Sequence, residues 1–384
     1  MRPRERAIES INHKEIFPAP VDVFENGIYP KLEKSLYKHF GLPPADQYLP
    51  TDKDGLLEAL GACSRRANPF YIGPSPKEDA TIAVSWPFRK AAMNIWGTWD
   101  GPESYTDELE RPLARAESRS DVDAHHWPNP DWFDFNKVGV PYLQTDIGED
   151  LKHWAGRKSD YLRIAGGWSP IASRILDLFG ITVGLTNMAA RPDLIESALA
   201  HIFDFYDGYY HRFAKSAQGY FDVMAFGDDF ASQRSMLFSP IFWRKYFLPL
   251  WKKLFAIAHA QGLKTMMHSC GAIRPIMPDL IDAGLDIFEV VQITANGMDA
   301  VELKREFGRD LVFYGGMDVQ NVMTNYTPTD VRLEARRLID VFGKGGGYVF
   351  ETSHFMMDNL PVENVIAMYD EGNSYVPPYG QRTS

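Results

Sequence analysis

The pattern of apolar and polar positions in the second half of the chain alternates between two periods. Short apolar runs typical of buried strands are each followed by a longer segment with the spacing of an amphipathic helix. The predicted strands are Tyr161–Gly166, Asp222–Phe226, Leu263–Met267, Asp286–Val291, Leu311–Tyr314 and Gly347–Phe350. The predicted helices are Ile171–Leu178, Pro192–Ala217, Pro240–Ala260, Pro275–Ala283, Asp299–Phe307, a segment from Thr327 to about Phe342, and Pro361–Asp370.

Regular alternation of strands and helices predicts a parallel sheet with helical crossovers. Five or six such units in tandem favour a (β/α)8 TIM barrel, which needs roughly 250 residues. A doubly wound sheet is the alternative, but no Gly-x-Gly-x-x-Gly pattern follows a first strand. Residues Val21–Phe24 would form an early strand of the barrel. The predicted fold class is therefore α/β, a TIM barrel with an N-terminal elaboration.

The whole chain, 1–384, is predicted to form a single domain. Residues 1–160 contain the first strand and the N-terminal elaboration, which is rich in Pro, Trp, Asp and Tyr from residue 26 onward. We expect this elaboration to cover one mouth of the barrel. Residues 161–373 hold the regular β/α units, and residues 374–384 are predicted to be a loose tail.

Composition narrows the functional class. The chain has 45% apolar and 24% charged residues, which is typical of a folded globular protein. A net charge of −11 argues against binding to nucleic acid or to anionic membranes. Only Cys63 and Cys270 are present, so a disulfide framework is excluded and a cytoplasmic location is expected. The charged start has no apolar signal segment, and no run of apolar residues is long enough to span a membrane.

Candidate metal ligands follow two of the predicted strands. His268 and Cys270 come directly after Leu263–Met267, and residues i and i+2 of an extended chain lie on one side. His354 follows the last predicted strand. Imidazole and thiolate suit zinc, and three protein ligands with one open position are typical of a catalytic zinc site. The alternatives are a buried cysteine beside a hydrogen-bonded histidine, and a loop histidine.

Three carboxylates also lie at strand ends. Asp228 and Asp229 follow Asp222–Phe226, and Glu351 ends the last predicted strand. Each could act as a general acid that protonates a leaving oxygen. The alternative for the aspartate pair is capping of a helix N-terminus or solvation in a loop.

Further polar and aromatic residues at strand ends are candidates for substrate binding. Gln292 follows the strand Asp286–Val291, and Asp318 follows two glycines after the next strand. Trp168 follows a Gly-Gly turn after Tyr161–Gly166 and could line a flat pocket. Helix capping by Asp318 and core packing of Trp168 are the alternatives.

Taken together, the strand ends resemble the uroporphyrinogen decarboxylase superfamily. The matching motifs are Arg6…Ile11-Asn12-His13-Lys14…Pro18…Pro20-Val21-Asp22, Phe226-Gly227-Asp228-Asp229…Gln233, His268-Ser269-Cys270-Gly271, Val291-Gln292, Gly315-Gly316-Met317-Asp318 and Pro361-Val362-Glu363-Asn364. The likeness is dense from Val223 to Met368 and patchy before residue 160. It implies a (β/α)8 barrel and one of two chemistries, metal-free decarboxylation or cobalamin-dependent methyl transfer.

The methyltransferase branch carries zinc on a His-x-Cys pair plus a later Cys or His, and the decarboxylases lack the pair. The resemblance therefore implies zinc on His268, Cys270 and His354, although a histidine at the last position occurs in both branches. It implies methyl transfer, including O-demethylation, between a methoxylated compound or a thiol and the cobalt of a corrinoid. An Asp-x-His-x-x-Gly cobalt-ligand pattern is absent from the chain, so the corrinoid (cobalamin) would arrive on a separate protein. Oligomeric state stays open, with a homodimer as one alternative.

Two other functions remain as alternatives. A metal-free decarboxylase would need arginines for the carboxylates of its substrate, and the family places such a motif soon after the first strand. Here no arginine occurs between Arg6 and Arg65. A non-catalytic member that binds a small ligand or a corrinoid protein is the third possibility.

Overall fold

The computed structural model describes residues 1–43, 54–73, 92–100, 111–139 and 148–381. Its largest sheet contains nine strands, of which seven run parallel as the wall of a barrel. The strands are β1 (Ser64–Tyr71), β2 (Ala92–Met93), β3 (Trp99–Asp100), β4 (Phe133–Gly139), β5 (Glu149–Asp150), β6 (Leu162–Gly166), β7 (Val223–Gly227), β8 (Lys264–His268), β9 (Ile287–Val290), β10 (Val312–Met317) and β11 (Tyr348–Thr352). The order in the large sheet is β11-β10-β9-β8-β7-β6-β1-β4-β5, so the predicted parallel barrel is confirmed.

Val21 lies between the two ends of the parallel wall. It forms parallel bridges to Ala62, just before β1, and to Phe350 in β11. The amide of Cys63 donates to the Val21 carbonyl over 2.8 Å, and the amide of Asp22 donates to the Phe350 carbonyl over 2.9 Å. The predicted strand Val21–Phe24 is thus reduced to this bridge, because a 3-10 turn at Phe24–Asn26 follows it at once. Val21 occupies the eighth position of the barrel.

Helices fill the crossovers between the parallel strands, as α/β alternation requires. They are α1 (Pro3–Ile11), α2 (Pro30–His39), α3 (Asp54–Leu60), α4 (Arg119–Asp123), α5 (Leu151–Arg157), α6 (Ala172–Phe179), α7 (Ile181–Ala190), α8 (Pro192–Ala217), α9 (Pro240–Tyr246), α10 (Leu248–Ala260), α11 (Met277–Ala283), α12 (Ala300–Phe307), α13 (Val322–Asn325), α14 (Pro328–Phe342) and α15 (Val362–Ser374). Among the described residues, none of these helices is both long and apolar enough to cross a membrane.

Two predicted helices are interrupted at prolines. The predicted helix Pro240–Ala260 is divided into α9 and α10 at Phe247, two residues before Pro249. The predicted helix Pro275–Ala283 becomes a 3-10 turn, Arg274–Ile276, followed by α11, whose second residue is Pro278. Proline lacks an amide hydrogen and its ring clashes with the carbonyl four residues earlier, so each helix restarts at its proline.

The N-terminal third contains a barrel strand that the apolar pattern did not predict. Strand β1 begins Ser-Arg-Arg, and Arg65 and Arg66 are buried in it, so it lacks the apolar run of the other strands. Strands β4 and β5 extend the sheet antiparallel beyond β1. Residues 44–53, 74–91, 101–110 and 140–147 of the predicted elaboration lie outside the described residues, so its cover over the mouth stays a prediction.

Within the segment 374–384 that was predicted to be a loose tail, Tyr379 contacts the rest of the barrel. The Tyr379 hydroxyl donates to the carbonyl of Asp340 over 3.0 Å. Its ring meets that of Phe17 edge-on at 5.5 Å. Residues 382–384 lie outside the described part of the chain.

One end of the barrel is closed by α1. Ala7 and Ile11 of this helix pack into the same apolar cluster as the inward-facing strand residues Ile164, Met266 and Val312. The other face of each strand packs against the surrounding helices, where large side chains such as Trp243 and Trp251 are fully buried. Because α1 covers the amino ends of the strands, the carboxyl ends are the side where side chains can meet a ligand.

Candidate metal centre at the carboxyl end of the barrel

The three predicted metal ligands converge. His268 is the last residue of β8, Cys270 follows two residues later, and His354 lies two residues past the end of β11. Their ligand atoms all lie within 4.8 Å of one another. The 3.6 Å between His268 Nε2 and Cys270 Sγ matches the spacing of about 3.6 Å expected for an N–Zn–S pair with tetrahedral geometry. We call these three residues the metal-ligand cluster.

Both histidines are held in their neutral form. Burial, followed by the charge of Arg66, lowers the pKa of His268 to about 3. Burial and the neighbouring His268 lower the pKa of His354 to about 4. The Phe24 ring packs against both imidazoles, at 5.3 Å from His268 and 5.4 Å from His354. A neutral imidazole is the form that binds a metal ion.

The remaining features also fit a metal ion. Burial, then the charges of Asp229, Glu25 and Glu289, raises the pKa of the Cys270 thiol. A thiol in such surroundings keeps its proton until a cation replaces it. Two imidazoles and one thiol near a barrel mouth therefore form a donor set suited to zinc.

The three predicted acid residues lie in different surroundings. Asp228 is fully buried and caps α6 through the backbone amides of residues 171–173, at 2.7–2.9 Å. Burial nevertheless raises its pKa to about 7. Asp229 lies beside the metal-ligand cluster, since its Oδ1 accepts from the Cys270 amide at 2.8 Å and is 3.8 Å from His268 Nε2. Glu351 is fully buried beside Glu289.

Of the predicted substrate-binding residues, Trp168 packs against a member of the metal-ligand cluster. Its ring meets that of His268 edge-on at 5.7 Å, and 38% of the residue remains exposed. Gln292 is buried, and its Oε1 accepts from the Gly271 amide at 2.9 Å. Asp318 accepts from the amides of residues 320–322 at 3.0–3.2 Å, which is the capping geometry that was the alternative for it.

Further charged residues inside the barrel were missed by the sequence patterns. Nη2 of Arg66 donates to Oε1 of Glu289, and both side chains are 1% exposed. The Tyr314 hydroxyl donates to Asp22, which also accepts from the Ser64 hydroxyl. We call Asp22, Arg66, Glu289, Tyr314 and Glu351 the interior cluster. Glu289 lies in the apolar run of the predicted strand Asp286–Val291, and a buried charged residue needs a partner. This residue could therefore have indicated a charged partner inside the barrel.

The chain is similar to known proteins both in sequence and in fold. The sequence profile described as uroporphyrinogen decarboxylase (URO-D) matches residues 179–375, just over half of the chain. The uroporphyrinogen decarboxylase of Actinobacillus succinogenes is 31% identical over 97 residues, which cover 23% of this chain and 27% of that enzyme. The methyltransferase from Methanosarcina mazei superposes with a TM-score of 0.61 at 15% identity, over 97% of this chain and 98% of that one. At 15% identity, the similarity to the methyltransferase shows a shared fold.

Proposed function

The chain belongs to the uroporphyrinogen decarboxylase family, and from this premise we propose that it is a zinc-dependent methyltransferase. It would move a methyl group between a small substrate, either a methoxylated compound or a thiol, and the cobalt of a corrinoid carried by a separate protein. The observation that carries the proposal is the convergence of His268, Cys270 and His354 within 4.8 Å at the carboxyl end of the barrel.

The full-length similarity in fold to a methyltransferase supports this choice within the family. The chemistry of the ligand set supports it further, because neutral imidazoles and a thiol are ligands for zinc. Bound there, zinc would supply Lewis-acid chemistry that polarises an ether oxygen or lowers the pKa of a thiol. With two neutral imidazoles and one thiolate as ligands, the loaded site would carry a net charge of +1.

The protein's own residues would orient the substrate and supply a proton. Trp168 presents an exposed aromatic ring beside His268, and Phe24 packs against both imidazoles, so the substrate would meet apolar walls that exclude water. Asp229 is the predicted acid that lies among the ligands, and burial raises the pKa of its carboxyl group. A carboxyl group with a raised pKa can hold a proton and donate it to the leaving oxygen.

Metal-free decarboxylation is the second candidate, because the identified relative from Actinobacillus succinogenes is a uroporphyrinogen decarboxylase. That chemistry would need arginines facing the carboxylates of its substrate. Arg66 lies inside the barrel, but its guanidinium contacts Glu289. We therefore rank decarboxylation below methyl transfer.

Metal content separates the two candidates. The protein would be purified without a metal-binding tag, and its bound metals measured by elemental analysis beside Cys270→Ala. We expect about one zinc per chain, lost in the variant, because removal of the thiolate leaves two ligands. The zinc-loaded protein would then be assayed with methoxylated aromatic compounds and methylated thiols in the presence of a reduced corrinoid. Absence of zinc from both proteins after zinc is offered would reject the proposal and favour decarboxylation or a non-catalytic role.

A further inference from the structure

The loop that carries Cys270 is held by four consecutive backbone amides. Each of the residues 269–272 donates a hydrogen bond to the loop that follows β7 or to the end of β9, the two strands that flank β8. The bonds are Ser269 N to Glu289 O at 2.9 Å, Cys270 N to Asp229 Oδ1 at 2.8 Å, Gly271 N to Gln292 Oε1 at 2.9 Å, and Ala272 N to Ser232 O at 2.9 Å. The thiol is therefore presented by a loop whose backbone is anchored on both sides.

These four bonds are of two kinds. The outer amides, those of Ser269 and Ala272, donate to backbone carbonyls. These carbonyls are present whatever side chain the accepting residue carries. The inner amides, those of Cys270 and Gly271, donate to the side chains of Asp229 and Gln292. Only the inner pair depends on the identity of the accepting residue, and it lies directly at the thiol. A substitution there removes a hydrogen bond without removing a ligand.

Backbone shape adds to the constraint at Gly271. Its φ is +84°, in the region that favours glycine. A Cβ on this residue would lie 2.6 Å from the Ser232 carbonyl oxygen and 2.7 Å from that of Ala231. The loop therefore passes against the segment after β7, which also carries Asp229, at a distance that only glycine allows. Gln292 accepts from the loop on the side of β9.

Both acceptors have a second contact. Asp229 Oδ1 also lies 3.8 Å from His268 Nε2, so one oxygen is next to two of the three ligands. Nε2 of Gln292 donates to Oε1 of Gln320 at 3.4 Å, and the same oxygen accepts from Nε2 of Gln233 at 2.8 Å. The Gln292 amide is thus held at both ends, which keeps its Oε1 aimed at Gly271.

We infer that Asp229 and Gln292 are positioning residues that set the metal affinity of the site by fixing the Cys270 loop before the metal binds. The inference rests on the metal site of the proposed function, but not on the identity of the methyl donor or acceptor. A loop that is already ordered pays less conformational entropy when its thiol becomes a ligand. Removing a residue that supports a metal ligand typically lowers affinity about 10- to 100-fold.

The test measures zinc affinity by competition with a chromophoric chelator. The variants are Asp229→Ala, Asp229→Asn and Gln292→Ala. The matched control is Gln233→Ala, because the Gln233 side chain bonds to Gln320 and not to the Cys270 loop. We expect Asp229→Ala and Gln292→Ala to bind zinc about 10- to 100-fold more weakly. Asp229→Asn keeps an oxygen that can accept from Cys270, so its affinity should stay close to that of the wild type, as should that of Gln233→Ala.

A second readout follows the thiolate itself. In the cobalt(II)-substituted protein, the thiolate-to-cobalt absorption band should weaken or shift in Asp229→Ala and Gln292→Ala, but not in Gln233→Ala. A role confined to folding would lower the melting temperature of the metal-free protein and leave this band unchanged in the folded fraction. If Asp229→Ala does not fold, Gln292→Ala carries the test.

Methyl transfer by the same variants separates this inference from the proposed function. Loss of transfer in Asp229→Asn, with zinc affinity retained, would support both the positioning role and the proton role of this residue. If no protein transfers methyl groups but the affinities follow the expected order, the positioning role is supported and the proposed reaction is not. Wild-type zinc affinity in both Asp229→Ala and Gln292→Ala, or a wild-type protein without zinc affinity, would overturn the inference.

Discussion

Two groups of polar side chains lie inside one barrel, and they differ in charge. The metal-ligand cluster consists of two histidines that are neutral near pH 7 and a thiol whose pKa is raised. The interior cluster contains the Arg66 cation and three carboxyl groups, with Arg66 in contact with Glu289. The metal-ligand cluster offers uncharged donor groups to a cation. The interior cluster contains opposite charges that partly compensate each other.

Because of this difference in charge, we expect the metal-ligand cluster to determine activity and the interior cluster to determine folding stability. Breaking a buried ion pair leaves an uncompensated charge and costs much folding free energy. A neutral imidazole at the barrel mouth can be removed at a smaller cost to folding, but its removal would take away one ligand of the proposed metal site. Substitutions in the two clusters should therefore affect different measurements, and each of the following predictions would break or sharpen that separation.

The largest effect is expected at the mouth. His354→Ala should lower methyl transfer at least about 1000-fold, because a bound metal supplies several kcal/mol of charge stabilisation. The free energy of unfolding of the metal-free protein should change by about 1 kcal/mol or less, since this side chain is only partly buried. Activity assays and urea denaturation measure the two quantities. A variant with full activity would remove His354 from the site.

Arg66→Met is expected to lower folding stability strongly while the metal site is retained. The substitution leaves Glu289 buried without its cation, so the free energy of unfolding should fall by about 3–5 kcal/mol, measured by urea denaturation. The folded fraction should still hold about one zinc per chain. Arg66→Met combined with Glu289→Leu should recover part of the lost stability, because it removes both charges together. A single variant as stable as the wild type would contradict the structural role of the pair.

Zinc affinity should depend on pH through the thiol. The Cys270 pKa is raised above its ordinary value, so the metal-free thiol is protonated between about pH 6 and 8 and must release one proton on binding. The histidines contribute no proton there, since their pKa values are about 3 and 4. The association constant should rise about tenfold per pH unit in this range. Calorimetry in buffers of different ionisation enthalpy counts the protons, and a count near zero would mean that the thiol is already ionised.

The smallest effect is expected from Glu351→Gln. Burial and the neighbouring Glu289 raise the Glu351 pKa well above its usual range, so its folded state holds a proton that the unfolded chain releases near pH 4.5. Stability contributed by such a group is present at low pH and is lost as pH rises above the unfolded value. Glutamine needs no proton, so at pH 8 the variant should be more stable than the wild type by about 1 kcal/mol, the scale set by about 1.4 kcal/mol per pKa unit. The gain should vanish near pH 4, and thermal unfolding across this range would show whether it does.

Much of the barrel could be predicted from local patterns. The predicted strands and helices from residue 161 onward correspond to β6–β11 and to α6, α8–α12, α14 and α15, with breaks added at Pro249 and Pro278. Helices α7 and α13 were not predicted. Apolar periodicity follows directly from backbone geometry, so it is visible in one segment at a time. The family inferred from the strand-end motifs is also confirmed. Strand β1 was missed, because it begins with two arginines whose burial depends on partners outside the strand. Arg65 pairs with Asp54, and Arg66 pairs with Glu289 on a distant strand.

The candidate site divides in the same way. The motif after β8 and the histidine after β11 indicated a ligand set from the sequence, since residues at the carboxyl ends of barrel strands share one mouth. The sequence did not show which role each residue beside these ligands has. Asp228 and Asp229 are adjacent and chemically identical, yet the first caps α6 and the second contacts the Cys270 loop.

The sequence by itself determined the parallel barrel, the family and the residue types at the strand ends, because these depend on local spacing and on short motifs. Only the tertiary structure decided which carboxylate lies among the ligands, that Gln292 supports the Cys270 loop, and that Arg66 and Glu289 form a pair inside the barrel. These relations depend on distances between strands that are far apart in the chain, and the burial that sets each pKa exists only once those strands have packed.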